Sequence, residues 1–100
     1  VNWCYIMANT NGLIVSKYGT KRWYRDGRCH RDDGPAVEYP DGTKFWYHNG
    51  LYHRTDGPAV EYPDGLREWW IDGVVYTFSE WIKVSKLSKA EICELVLYYG

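Results

Sequence analysis

The sequence is poor in cysteine, methionine and proline: three Cys, one Met and four Pro in 100 residues. The cysteines, at 4, 29 and 93, are odd in number and form no CxxC pair. A disulfide framework is therefore not expected, and a reducing compartment fits the count. The three histidines, at 30, 48 and 53, share no ligand spacing with the cysteines, so no metal is expected either. No apolar run reaches the roughly 18 residues of a membrane span, and no charged stretch leads into an apolar one near the start. Neither a span nor a secretory leader is expected, which places the chain in the cytoplasm. Net charge is −1, so no global basic field draws in nucleic acid. The glycines fall at turn positions, leaving no phosphate-binding loop.

Aromatics and repetition are abundant. Six Trp and ten Tyr bring the aromatic share to 18%. Residues 19–41 read GTKRWYRDGRCHRDDGPAVEYPD and residues 42–64 read GTKFWYHNGLYHRTDGPAVEYPD, identical at 17 of 23 positions. A third copy, GLREWWIDGVVY, starts at Gly65 and ends at Tyr76. A fixed period of this length marks an array of supersecondary units that bury their faces against neighbours. The single domain of residues 1–100 thus divides into a degenerate hairpin (1–18), two full repeats (19–41 and 42–64), a truncated repeat (65–76) and a tail (77–100).

Turn chemistry fixes the form of one unit. Pro-Asp-Gly at 40–42 and 63–65 joins two apolar stretches, with Pro presetting φ and Gly taking a positive one. Ala36–Tyr39 and Thr43–His48 are expected to pair as a hairpin. Asn49-Gly50, with Asp26-Gly27 and Asp72-Gly73 in the other copies, supplies a second tight turn. Short returns over Arg28–His30 and Leu51–His53 end at Asp-Gly-Pro. The expected fold is mainly β: an antiparallel β-hairpin repeat array forming a single curled sheet, with a small C-terminal helical cap. Trp23, Trp46 and Trp69 form one ladder, and Tyr24, Tyr47 and Trp70 form another on the opposite face.

Both ends depart from the repeat. Leu13–Gly19 takes the register of Ala36–Gly42, and Asn11-Gly12 is expected to close a turn behind a strand over Trp3–Met7. Thr77-Phe78-Ser79-Glu80 and Ser88-Lys89-Ala90-Glu91 both have capping-box form. Ile92, Leu95, Val96 and Tyr99 follow at helical spacing. These helices are expected to cover the last strand edge.

The pattern Gly-Thr-Lys-x-Trp-Tyr-x-(Asn/Asp)-Gly-x-x-His-Arg-x-Asp-Gly-Pro-Ala-x-x-Tyr resembles the MORN-type repeat, in the variant of bacterial and bacteriophage proteins. The resemblance spans Leu13 to about Tyr76. It implies an antiparallel sheet extended hairpin by hairpin and a role in protein or lipid association, including antitoxin-like or host-inhibiting binders. The N-terminal half unit lacks His-Arg-x-Asp-Gly-Pro, and the helical tail lies outside the pattern.

His30 and His53, each followed by Arg and then by acids (Asp32 and Asp33, or Asp56), recur at the repeat period. That recurrence points to the repeat's own hydrogen bonding, because a catalytic site is a single constellation. Arg31 and Arg54 are expected to pair with acids or stack on aromatics. Cys29 and His30, adjacent in a strand, face opposite ways and cannot act together. No catalytic residue, cofactor or metal ligand is expected.

Recognition is expected at positions that vary between copies: Arg22, Arg25 and Arg28 in the first, Phe45, His48 and Leu51 in the second, and Trp70 in the third. Arg and aromatics anchor protein interfaces. The expected activity is therefore non-enzymatic binding and blocking of a protein partner. Nucleic-acid binding through the Arg-rich first repeat is the alternative. No membrane contact is expected, and the oligomeric state is left open.

Overall fold

The structure, a computed structural model, describes residues 9–99. In chain order the elements are β1 (Gly12–Val15), β2 (Lys21–Arg25), β3 (Arg28–Cys29), β4 (Val37–Glu38), β5 (Lys44–Phe45), β6 (Tyr47–His48), β7 (Leu51–Tyr52), β8 (Val60–Glu61), β9 (Arg67–Ile71), β10 (Val74–Tyr76), α1 (Phe78–Val84) and α2 (Lys89–Tyr99). Every strand pair is antiparallel. The main sheet runs β1-β2-β4-β5-β8-β9-β10, with β3 beside β2, and does not close into a barrel. The fold is thus mainly antiparallel β with a C-terminal helical cap. The strand expected over Trp3–Met7 lies outside the described residues.

The turns form as their sequences dictate. Asp26 and Gly27 (φ 50° and 77°), Asn49 and Gly50 (51° and 83°), and Asp72 and Gly73 (47° and 79°) each place two consecutive residues at positive φ. That is the hairpin turn whose twist matches its strands.

Main-chain bonds repeat with the sequence. The N–H of Trp23 donates to Ala36 O, and that of Trp46 to Ala59 O. The N–H of Gly50 reaches back to Cys29 O, and that of Gly73 to Tyr52 O, tying each tip to the preceding return. Across the central strands the register lines up Lys21, Glu38, Lys44, Glu61 and Arg67, an alternating row of charges. One residue along runs a second row, Arg22, Val37, Phe45, Val60 and Glu68, on the other face.

The tip of the second repeat stands apart in its pairing: β6 and β7 pair only with each other. The neighbours of β5 are β4 and β8, and both begin just after a Gly-Pro break at Pro35 or Pro58. Proline offers no N–H, so the ladders to β4 and β8 stop there, with the Trp46 N–H to Ala59 O as the last bond to β8's side. The outer strands β2 and β9 continue unbroken because β1 and β10 support them.

The core gathers Cys29, Ala36, Val37 and Tyr47, with Tyr24, Phe45 and Tyr52 packed against it. Ala59 and Val60 are fully buried one repeat on. Cys29 is disulfide-bonded and Cys93 is free and exposed, which corrects the expectation of a chain without disulfides. The argument for a reducing compartment therefore no longer stands on the cysteines.

Both helices carry the capping boxes read from sequence. The Thr77 side chain accepts the N–H of Glu80 at 3.2 Å while Glu80 Oε1 accepts the N–H of Thr77 at 2.9 Å; Ser88 and Glu91 do the same at 3.2 and 3.1 Å. Trp81 is fully buried, packs on Trp69 with ring centroids 4.8 Å apart, and donates its indole N–H to Arg54 O at 3.1 Å. The cap therefore covers the Trp69 face. Val74 and Val75 of the last strand stay 52% and 55% exposed.

Candidate functional site

Three surfaces hold the side chains that carry chemistry. The first is the tryptophan face, where Arg31 lies over Trp23 at 4.0 Å and Arg54 over Trp46 at 3.9 Å. Each guanidinium donates through Nε to an acid two residues on, Asp33 or Asp56, at 2.8 Å. Each also donates through Nη1 to a carbonyl, Pro35 O at 3.2 Å or Pro58 O at 3.0 Å. Arg54 adds a contact to Glu61 at 3.4 Å. Where a third arginine would follow, Phe78, Trp81 and Tyr99 surround Trp69 instead. This face is closed by the repeat itself.

The second surface is the histidine row beside the hairpin tips. The ring of His48 lies between His30 (4.6 Å) and His53 (5.4 Å). A polar cleft of about 450 Å³ opens here between the 31–34 and 53–56 loops. His30 Nδ1 accepts the backbone N–H of Asn49 at 3.0 Å, and His53 Nδ1 accepts that of Asp72 at 3.0 Å. Both rings are held below the ordinary histidine pKa, first by burial, against the opposing pull of Asp32 or Asp72.

His30, Asp32 and His48 place ligand atoms within 4.8 Å of one another. The hydrogen bonds decide against a metal there. A ring that binds a metal through Nε2 must carry its proton on Nδ1. In His30, Nδ1 is the acceptor for Asn49, so the proton sits on Nε2 and points to Asp32 Oδ1 at 2.9 Å. Arg25 Nη1 stands 3.3 Å from that same nitrogen and would repel a further cation. His30 and His53 hold turns.

The third surface is the sheet face opposite the tryptophans, carrying the row from Arg22 through Phe45 to Glu68. Half-buried Arg22 has no hydrogen-bond or ion-pair partner among the described residues. Phe45 meets Tyr39 edge-on at 5.3 Å and stacks on Tyr52 at 5.7 Å; Trp70 follows at 5.0 Å from Tyr52. Glu68 accepts from the Trp70 indole N–H at 2.9 Å and from the Tyr62 hydroxyl at 3.3 Å. Burial, with a hydrogen bond to Tyr52, drives the Tyr47 hydroxyl far above the ordinary tyrosine pKa. Tyr62 is raised by burial and by the Glu68 charge. Tyr39 and Tyr62 stay 39% and 36% exposed along this face.

The seven residues picked out by sequence variation therefore split in two. Arg22, Phe45 and Trp70 share the aromatic face. Arg25 and Arg28 pair across the first tip, and His48 and Leu51 occupy the equivalent places in the second. Sequence variation missed Tyr39 and Tyr62 because both copies carry the same residue. It also missed the groove of α2, whose signal was the pair Glu91 and Glu94 among Leu87, Leu95 and Tyr98.

No family model, curated protein or solved structure matches this chain. Among the described residues no helix is long and apolar enough to cross a membrane.

Proposed function

We propose that the chain is a non-enzymatic protein-binding module that blocks a partner by covering it with the aromatic sheet face. The observation that carries this reading is the row Arg22–Phe45–Glu68, with exposed Tyr39 and Tyr62 beside it. It offers a cation at one end, fixed aromatics in the centre and a held carboxylate at the other. Pre-positioned aromatics flanked by charge suit a protein interface, since little side-chain freedom is lost on binding. The repetition of the His-Arg-x-Asp groups supports the non-enzymatic part, because each copy is engaged in the fold. Resemblance to MORN-type repeats of bacteria and bacteriophages suggests an inhibitor or antitoxin-like role, in the bacterial cytoplasm or that of the host if phage-encoded.

The test is affinity capture from bacterial lysate, with and without nuclease, using wild type and an Arg22→Glu/Tyr39→Ala variant. One dominant protein that survives nuclease and is lost with the variant supports the reading. Equal capture by the variant removes this face. Compartment is read by alkylating the denatured chain without reductant: labelling of Cys29 agrees with the cytoplasm, and its protection, as the disulfide of the structure requires, favours an oxidising compartment.

A second reading has its own observation. Arg25 and Arg28 stand directly opposite each other across a strand pair, an arrangement that like charges disfavour. Nucleic-acid binding there predicts recovery that vanishes with nuclease and an affinity that falls steeply with salt.

A further inference from the structure

One side of α2 faces Asp56, in the Asp-Gly-Pro loop of the second repeat, and between them lies a groove of about 350 Å³. Leu87, Leu95 and Tyr98 line it with apolar surface, and Glu91 and Glu94 bring two carboxylates to it; the third acid of its wall, Asp56, is paired with Arg54 at 2.8 Å. Tyr99 completes the wall, fixed by its hydroxyl donating to Glu61 at 3.3 Å. Residues 91, 94, 95 and 98 of α2 form one stripe at helical spacing, and Leu87 precedes the capping Ser88.

No lysine or arginine lines the groove. Arg54 and Arg67, which touch its walls at Asp56 and Tyr99, already have partners. Arg54 is held by Asp56, Pro58 O and Glu61. Arg67 lies over the Tyr99 ring at 4.7 Å and donates to Tyr99 O at 3.5 Å. Glu94 has no hydrogen-bond or ion-pair partner among the described residues. Capping bonds with Ser88 hold the Glu91 carboxyl below the ordinary glutamate range. Leu97 and Tyr98, 88% and 78% exposed, extend apolar surface beyond the groove.

We propose that this groove receives an arginine side chain presented between apolar residues of a protein partner. An arginine stem runs well along leucine and tyrosine surface while its head reaches carboxylates. The planar guanidinium also stacks on a tyrosine ring and forks to two carboxylate oxygens, which an ammonium does not do. The volume is near the low end of the roughly 300–1,000 Å³ of small-ligand sites, a size for one or two side chains. The groove lies on the cap, away from the aromatic sheet face, and its occupancy does not depend on that face.

The test is a titration of the isotope-labelled chain followed by two-dimensional amide NMR. The probes are three blocked tripeptides, Leu-Arg-Leu, Leu-Lys-Leu and Leu-Gln-Leu. The expected result is saturable shifts at Asp56 and along residues 87–99, with Leu-Arg-Leu bound most tightly. Glu94→Gln, at an exposed site with no packing role, is expected to weaken Leu-Arg-Leu about two- to fivefold, the scale of an exposed ion pair. It should leave Leu-Gln-Leu unchanged. Equal binding of Leu-Gln-Leu and Leu-Arg-Leu overturns the proposal, as does equal binding of Leu-Lys-Leu or an absence of saturable shifts in the groove. Shifts confined to Tyr39, Phe45 and Tyr62 would overturn it while supporting the sheet face.

Discussion

His30 reaches into the next repeat, where its Nδ1 accepts the backbone N–H of Asn49 at 3.0 Å. The same bond recurs 23 residues on, from Asp72 to His53. The first tip uses Asn11 in this role: its side-chain oxygen accepts the N–H of Asp26 at 3.1 Å, while Thr10 O accepts that of Gly27. Each hairpin tip is thus bound by the unit before it. At position 76 the histidine is replaced by Tyr76, which has no ring acceptor, and the following arginine by Thr77, which caps a helix. The array stops where its linking residue is lost.

Removing the acceptor should therefore loosen a neighbouring turn. His30→Ala leaves the Asn49 amide without its partner in a part-buried place, costing about 1–3 kcal/mol. His53→Ala is expected to cost less, because its side chain is 22% exposed against 4% for His30. Urea denaturation of the two variants gives the order, and an equal or reversed cost would contradict the linking role.

Acid should weaken the same two bonds, since a protonated ring cannot accept at Nδ1. Burial lowers both pKa values; His48 pushes in the same direction and Arg25 adds to this at His30, while Asp32 and Asp72 oppose. With the folded value below the unfolded 6.5, the unfolded chain takes up the proton first as pH falls. The stability from these rings is complete above that unfolded value and is lost as pH falls through the folded ones. Urea midpoints between about pH 7.5 and about pH 5 should fall in wild type and fall less in a His30→Gln/His53→Gln variant. An undiminished slope in the variant would assign the effect to carboxylates.

The repeat made much of this legible. Turn positions, both capping boxes and the structural use of Arg31 and Arg54 follow from local residue chemistry at a fixed period. What one period could not convey is which unit touches which. The His30–Asn49 bond crosses a repeat boundary, and Asn11 fills a histidine's place without resembling one. The separation of β6 and β7 depends on prolines that precede the flanking strands. The aromatic face was half read: variation marked Phe45, whereas Tyr39 and Tyr62, fixed in both copies, gave no such sign.

Gly57 is required by the guanidinium beside it. A Cβ there would lie 2.6 Å from Arg54 Cζ and 2.9 Å from Nη1, and at Gly34 the corresponding approach to Arg31 Cζ is 3.1 Å. Arg54 cannot swing away without giving up Asp56, Pro58 O and the Trp46 ring. Gly57→Ala should destabilise by about 1–3 kcal/mol, as overpacking does, and Gly34→Ala by less. Thermal unfolding separates them; a harmless Gly57→Ala would mean that the arginine contacts contribute little.

Lys44 stands between Glu38 and Glu61 in the charge row. Lys44→Glu sets three carboxylates side by side, with two attractive pairs made repulsive at about 0.2–1 kcal/mol each. The loss should shrink at high salt, which screens exposed charges. Urea midpoints at low and high salt read this directly, and a salt-independent loss would point to packing of the lysine stem instead.

Trp81 joins the cap to the array, and two substitutions separate its contributions. The side chain is fully buried against Trp69 and Phe78, so Trp81→Ala should cost about 3–5 kcal/mol. Trp81→Phe keeps an aromatic ring but loses the indole bond to Arg54 O, leaving that carbonyl without this donor. Its cost should be smaller, and proton exchange at the Arg54 and Trp81 amides should rise together because the bond spans loop and helix. If Trp81→Ala melted only the helical signal while the strand signal kept the wild-type midpoint, the cap and the array would be separate cooperative units. A shared, lowered midpoint would make the tail part of the fold that presents both proposed surfaces.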